Sequence, residues 1–244
     1  APLQLGGMGV DLFFVLSGWL LGCQLFKEMD SGTIQVKRFW YRRWLRTLPA
    51  YYAVLGFTIF QQFLTKENPE LYWDYFVFLQ NYNYPLEIFY VSWSLAVEEQ
   101  FYVFYPLFCV TLLKFGRKRT WIAMAIVAVL SLIFGEFALK THKLAAFYLL
   151  PSRAWEMLIG GLVCFLPIPK IRKAWVFEVT SWIALATIFL VALTYNESTR
   201  FPGINALAPC LASVCLLYVS EHQLTSVHRI LSLPPFVFIG KISY

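Results

Sequence analysis

Long apolar runs recur along the chain at 8–25, 47–64, 91–112, 120–139, 147–167, 175–195 and 203–219, and another begins near 234. A helix needs about 20 such residues to cross a hydrocarbon core of about 30 Å, and each of the seven runs is at or near that length. The pattern predicts an all-α fold, a polytopic transmembrane helix bundle with seven complete spans and one truncated. A shorter aromatic run, LYWDYFVFLQ at 71–80, is too brief to cross and reads as an interfacial or re-entrant piece. No repeat, low-complexity region or soluble domain interrupts the series. Residues 1–244 are therefore expected to form a single transmembrane domain, incomplete at both ends.

Composition agrees with the pattern. The chain is 59% hydrophobic and 14% charged, against about 25% charged for soluble domains, and its mean hydropathy is +0.60. The net charge of +6 does not point to nucleic acid, because basic residues in so apolar a chain orient spans and meet lipid headgroups. The five cysteines, Cys23, Cys109, Cys164, Cys210 and Cys215, all fall in apolar runs without a CxxC or a Cys/His cluster. They read as buried small hydrophobes, with neither a disulfide framework nor a metal site indicated.

Charge between the spans then assigns sides. One alternating set of loops holds Lys27, Lys37, Arg38, Arg42, Arg43, Arg46, Lys114, Arg117, Lys118, Arg119, Lys170, Arg172, Lys173, Arg229 and Lys241, which makes 15. The other holds Lys66, Lys140, Lys143, Arg153 and Arg200, which makes 5. By the positive-inside rule the first set faces the cytoplasm, and the run at 91–112 crosses from outside to inside.

Two places concentrate charge beyond what orientation needs. In KRFWYRRWLRTLPAYY (37–52), helical spacing sets Arg38, Arg42 and Arg46 within about 80° of one another, with Arg43 about 60° further round. This places all four on one side at the cytoplasmic mouth of the second span, with Trp40 and Trp44 pointing away. Such a cluster serves either as a lipid-facing anchor or as a phosphate site, since guanidinium forks pair bidentately with phosphoryl oxygens. In WSLAVEEQFYVFYP (93–106), Ser94, Glu98 and Tyr102 recur every four residues on one helix face, toward the outer half of the span. Glu99 is turned about 100° away. A carboxylate at the centre of a span costs roughly 2.5–3.5 kcal/mol, so each needs a polar cavity, a cation or a proton.

A third stretch, LPSRAWEMLIGG (150–161), offers Ser152 as an N-cap and Arg153 as a partner for either Glu156 or the glutamates of the 91–112 run. Gly160 and Gly161 there permit close helix packing. His142, His222 and His228 fall in predicted loops and read as solvated.

Four stretches together resemble the acyltransferase 3 family: GVDLFFVLSGWLLG (9–22), RFWYRRWLRTLPAYY (38–52), SWSLAVEEQFYVFYP (92–106) and FIGKISY (238–244). These are integral-membrane acyltransferases, mostly bacterial, that modify hydroxyls of surface polysaccharides and other glycans. The resemblance implies an acyl-CoA co-substrate on the cytoplasmic side, with no tightly bound cofactor. It also implies a glycan or lipid-linked glycan acceptor, and a place in the bacterial inner membrane among its lipids. Carried over by motif, Arg43 and Arg46 match the family's RxxR pattern, and Arg38 and Arg42 extend that donor-binding cluster. Glu98 matches the glutamate after Trp-Ser-Leu, in a motif that includes Trp93, Phe101, Tyr102 and Pro106. Phe13, Phe14, Ser17 and Gly18 match the Phe-Phe-Val-Leu-Ser-Gly core, and Arg153 resembles a basic residue near the start of a later span.

The resemblance gives Glu98 and Arg153 supporting catalytic roles. The family's histidine base, carried by its first span, matches none of the three histidines here. The expected activity is transfer of an acyl group, most simply acetyl, from acyl-CoA to a carbohydrate hydroxyl. A transporter or flippase, with buried charges lining a solute path, is the alternative.

Overall fold

A computed structural model describes residues 2–30, 35–65, 72–84, 89–113, 115–166, 173–195 and 199–243. Lys66, Lys114, Lys170 and Arg172 of the charge count, and Tyr244 of the last motif, lie outside them. Among the described residues every regular element is helical and there is no strand. The helices are α1 (Pro2–Asp30), α2 (Val36–Thr65), α3 (Trp73–Phe76), α4 (Ser92–Leu113), α5 (Arg117–Thr141), α6 (Lys143–Tyr148), α7 (Leu150–Val163), α8 (Ala174–Thr194), α9 (Leu207–His222), α10 (Ser226–Leu231) and α11 (Pro234–Ser243). Four stretches, Gly7–Glu28, Arg117–Thr141, Ala174–Thr194 and Ile204–His222, are helical and both long and apolar enough to cross a bilayer. The protein is an integral membrane protein.

The predicted fifth span differs from expectation. The run 147–167 is broken at Leu149, and α7 has only 14 residues, about 21 Å, too short by itself for the hydrocarbon core. Pro151 explains the break. Its missing N–H leaves the Phe147 carbonyl four residues earlier without a helical donor. The carbonyl instead accepts from Arg153 Nε at 3.1 Å. Nor is Ser152 the N-cap, since it lies inside α7 and its hydroxyl donates to the Leu149 carbonyl at 2.7 Å.

The chain divides into two units. A middle unit comprises Gln24–Trp155, and a terminal unit joins Ala1–Cys23 to Glu156–Tyr244.

In the middle unit α2 and α4 are neighbours, and the segment around α3 packs between aromatic side chains. This segment is largely irregular. Tyr75, Phe78, Gln80 and Asn81 of this segment are buried while Trp73, Val77 and Leu79 are exposed, and several of its carbonyls are given side-chain donors. The Tyr51 hydroxyl donates to Tyr75 O at 2.8 Å and Tyr52 to Phe76 O at 2.9 Å. Gln100 Nε2 donates to Phe78 O at 2.7 Å and to Asn81 Oδ1 at 2.8 Å. Asn81 passes the link on to Tyr148 O, at the end of α6, at 3.0 Å. Phe78 itself adopts a left-handed backbone (φ 58°), unfavourable for an aromatic residue. Its ring, 4.6 Å from that of Tyr51, and its bonded carbonyl hold it there. Over its described residues, 72–80, the short piece is thus a partly buried turn pinned by α2 and α4.

In the terminal unit α1 and α7 meet through glycine. A Cβ at Gly160 would fall on the Val15 carbonyl, one at Gly18 on the Met157 carbonyl, and one at Gly22 would lie 2.8 Å from Gly161 Cα. The Gly18–Gly22 spacing on α1 and the Gly160–Gly161 pair on α7 therefore allow backbone-to-backbone contact. The reading of the cysteines needs correction here. Cys23 and Cys164, with Cα atoms 5.5 Å apart, form a disulfide. The close approach of the two helices brings together residues that sequence spacing did not connect. Cys109 and Cys210 are buried and take no part in the bridge, as expected. Elsewhere Glu178 accepts from the Ser226 backbone N–H at 3.0 Å and its hydroxyl at 2.7 Å, capping the start of α10.

Candidate functional site

The charged residues of α2 and α4 meet inside the middle unit. Glu98 is 2% exposed, and the Tyr102 hydroxyl, one turn along the same face, donates to Glu98 Oε1. The Arg43 guanidinium lies over the ring of the same tyrosine, with Cζ 5.2 Å from the Tyr102 ring centroid. A cation on an aromatic face is worth about 2 kcal/mol or more once desolvated. Arg43, Tyr102 and Glu98 thus form one buried cluster, with the tyrosine bonded to the carboxylate through its hydroxyl and to the cation through its ring.

Two sequence expectations change. The four arginines do not act as one side: Arg43 is buried, whereas Arg38, Arg42 and Arg46 are exposed. The further 60° of rotation is enough to turn Arg43 onto α4. Arg43 is also not at the end of its neighbour. Tyr102 is the eleventh of the 22 residues of α4, so Arg43 lies level with the middle of that helix.

Glu99 has its partner on α2. Thr47 Oγ1 donates to Glu99 Oε1 at 2.7 Å, and Arg43 and Arg46 are close enough to act on the carboxylate electrostatically. The two adjacent glutamates are therefore divided between two faces. Glu98 is held within its own helix, and Glu99 ties α4 to α2.

Trp40, expected to point away from the arginines, is fixed by proline chemistry. Pro106 lies within α4 and cannot donate to the Tyr102 carbonyl four residues earlier. Trp40 Nε1 supplies the missing donor at 3.0 Å. This interaction was legible in principle, because a proline inside a helix identifies the carbonyl that needs a partner. Which residue fills it is decided by the tertiary packing.

Arg153 is fully buried. Besides its bond to Phe147 O, its guanidinium lies 4.9 Å from the Phe147 ring and 5.5 Å from the ring of Trp93. It therefore reaches α4 at Trp93, five residues before Glu98. In the terminal unit Phe14 and Ser17 are buried, Phe13 is half-buried, and Gly18 is the point of contact with Met157. These motif residues pack helices. Of the histidines, His142 is exposed between α5 and α6, and His228 is bound to Thr225 (2.6 Å) and to the Leu216 carbonyl (3.1 Å). Among the described residues no group of three or more His, Cys, Asp or Glu side chains is arranged to hold a metal.

The sequence profile described as an acyltransferase domain matches residues 2–244. A Staphylococcus aureus (strain COL) protein named "Putative O-acetyltransferase" is 30% identical across 98% of this chain and 44% of its own length. The peptidoglycan O-acetyltransferase OatA of Listeria monocytogenes is 26% identical across 98% of this chain and 43% of its own length. An uncharacterised Haemophilus influenzae protein is 26% identical across 88% of this chain and 99% of its own length. The chain thus spans less than half the length of the first two relatives. No solved structure matches it.

Proposed function

This chain belongs to the acyltransferase 3 family, and on that premise we propose that it is the membrane-embedded transfer unit of an O-acetyltransferase. The donor is a cytoplasmic acyl-CoA, most simply acetyl-CoA, and the acceptor is a hydroxyl of a cell-surface carbohydrate. The peptidoglycan O-acetyltransferase among the relatives supports a glycan of the cell envelope, free or lipid-linked, and with it a place in the bacterial inner membrane.

The buried Arg43–Tyr102–Glu98 cluster carries the reading. A carboxylate, a phenol and a guanidinium fixed together midway along a membrane helix are costly to bury and have little to do in a merely structural bundle. In the reaction the acceptor hydroxyl oxygen attacks the thioester carbonyl. An ester C–O bond forms, the C–S bond breaks, and coenzyme A leaves as its thiol after receiving the proton. Exposed Arg38, Arg42 and Arg46 suit the phosphates of the donor. Glu98, its orientation set by Tyr102, accepts a hydrogen bond from the acceptor hydroxyl and orients it. Arg153 is a positioning residue that sets Trp93 and the start of α7.

The test is transfer of labelled acetyl from acetyl-CoA to membrane glycan by the full-length protein in vesicles. Transfer lowered about 100-fold by Glu98→Gln, with acetyl-CoA affinity retained, supports the assignment. Unchanged transfer in that variant overturns it.

A further inference from the structure

A second feature of the middle unit lies on the other side of Glu99. Between α2, the turn that follows α3, and α4 is a cavity of about 390 Å³, within the range of small-molecule sites. Its walls are mainly aromatic: Trp44 and Tyr52 from α2, Phe76 and Phe78 from the turn, and Phe104 from α4. The polar groups around it are mostly engaged, since Tyr52 and Gln100 spend their donors on the Phe76 and Phe78 carbonyls. Glu99 is the exception. It lines the cavity at 3% exposure, with Oε1 held by Thr47, while its buried Oε2 has no hydrogen-bond partner.

An unsatisfied buried carboxylate oxygen costs several kcal/mol unless a donor meets it. The rim shows where such a donor comes from. Phe104 and Val77 at the edge are both more than half exposed. In a membrane protein that apolar surface faces hydrocarbon. Thr47 and Trp44 already act on the carboxylate as donors and Arg43 and Arg46 supply positive charge, so the group left to meet Oε2 is a further neutral donor. An ionised phosphate is disfavoured at Oε2, because it offers only acceptors and has no hydrogen to donate.

We propose that this cavity is a lipid-binding site. It takes one hydrocarbon chain of a membrane lipid against the aromatic walls, with a free hydroxyl of that lipid donating to Glu99 Oε2. The site is separate from the Glu98 face and does not depend on the reaction assigned to it.

The probe is a monoacylglycerol carrying a photoreactive diazirine in its chain, added to the full-length protein in phosphatidylcholine vesicles. After irradiation, adducts are expected on the peptides holding 44–52, 76–78 and 99–104. An otherwise identical probe with its hydroxyls methylated should label about tenfold less, the worth of one hydrogen bond to a charged acceptor. Glu99→Ala should remove that difference, and Val103→Trp, which fills the cavity, should abolish labelling of these peptides. Equal labelling of wild-type protein by the two probes would overturn the proposal without need of any variant. So would labelling that survives Val103→Trp, or labelling displaced by coenzyme A.

Discussion

The α1–α7 pair of the terminal unit and the α2–α4 pair of the middle unit are held together in opposite ways. The first relies on the absence of side chains. At Gly18, Gly22 and Gly160 one backbone rests on another, and an added methyl group has nowhere to go. The second relies on side chains that reach across: Trp40 to the Tyr102 carbonyl, Thr47 to Glu99, and Arg43 to the Tyr102 ring. Glycine contacts give van der Waals packing and tolerate no substitution, although α1 and α7 also bury Asp11, Ser17 and Glu156. Polar contacts in a membrane are individually modest, averaging about 0.6 kcal/mol, yet they keep Glu98, Glu99 and Arg43 inside the unit, where the proposed reaction would use them. Changes at the glycines should therefore remove the fold, and changes at the polar contacts should alter activity first.

The largest effect is expected from Gly160→Val, whose side chain would fall on the Val15 carbonyl. It should cost about 3 kcal/mol or more, seen as loss of folded protein in detergent extracts. A variant that folds with an unchanged thermal midpoint would break the comparison from the glycine side. Next, Glu98→Gln in the full-length protein should lower acetyl transfer about 100-fold while leaving the unfolding midpoint nearly unchanged. Parallel loss of both would make Glu98 a packing residue and break the comparison from the polar side. Arg46→Ala, at an exposed position, should raise the KM for acetyl-CoA about tenfold with no change in thermal stability. The smallest effect belongs to Trp40→Phe, which frees the Tyr102 carbonyl and should cost about 1 kcal/mol in denaturant titration.

Trp40 is not an isolated case. Pro106, Pro151 and Pro209 each deprive a carbonyl four residues earlier of its helical donor. Each of those carbonyls receives a side-chain donor instead: Trp40 to Tyr102 O, Arg153 to Phe147 O, and Tyr195 to Asn205 O at 2.7 Å. Tyr195→Phe, in the terminal unit, should therefore cost about the same as Trp40→Phe, which tests whether this repair is independent of the unit it serves.

The same residues show where sequence reading succeeds and stops. Apolar periodicity located the helices, since a long apolar run has few alternatives in a bilayer, and the four-residue spacing correctly placed Tyr102 on Glu98. Pro151 was a visible sign that the 147–167 run would break, but length alone hid it. The separate partners of Glu98 and Glu99, the inward turn of Arg43 and the Cys23–Cys164 bridge depend on which helices adjoin. A single chain read in order carries no signal for that. The motif resemblance identified the candidate residues in advance, whereas their grouping into one cluster is a product of the fold.

The disulfide also changes what the chain is as a covalent object. Cys23 and Cys164 are 141 residues apart, and the whole of Gln24–Trp155 lies between them. While the bridge is intact, the polar half of the protein is part of a closed ring from which α8 to α11 hang as a tail. One proteolytic cut anywhere in the ring opens it but liberates nothing, so the full mass persists on a non-reducing gel and two fragments separate only after reduction. A cut in the tail releases a fragment either way.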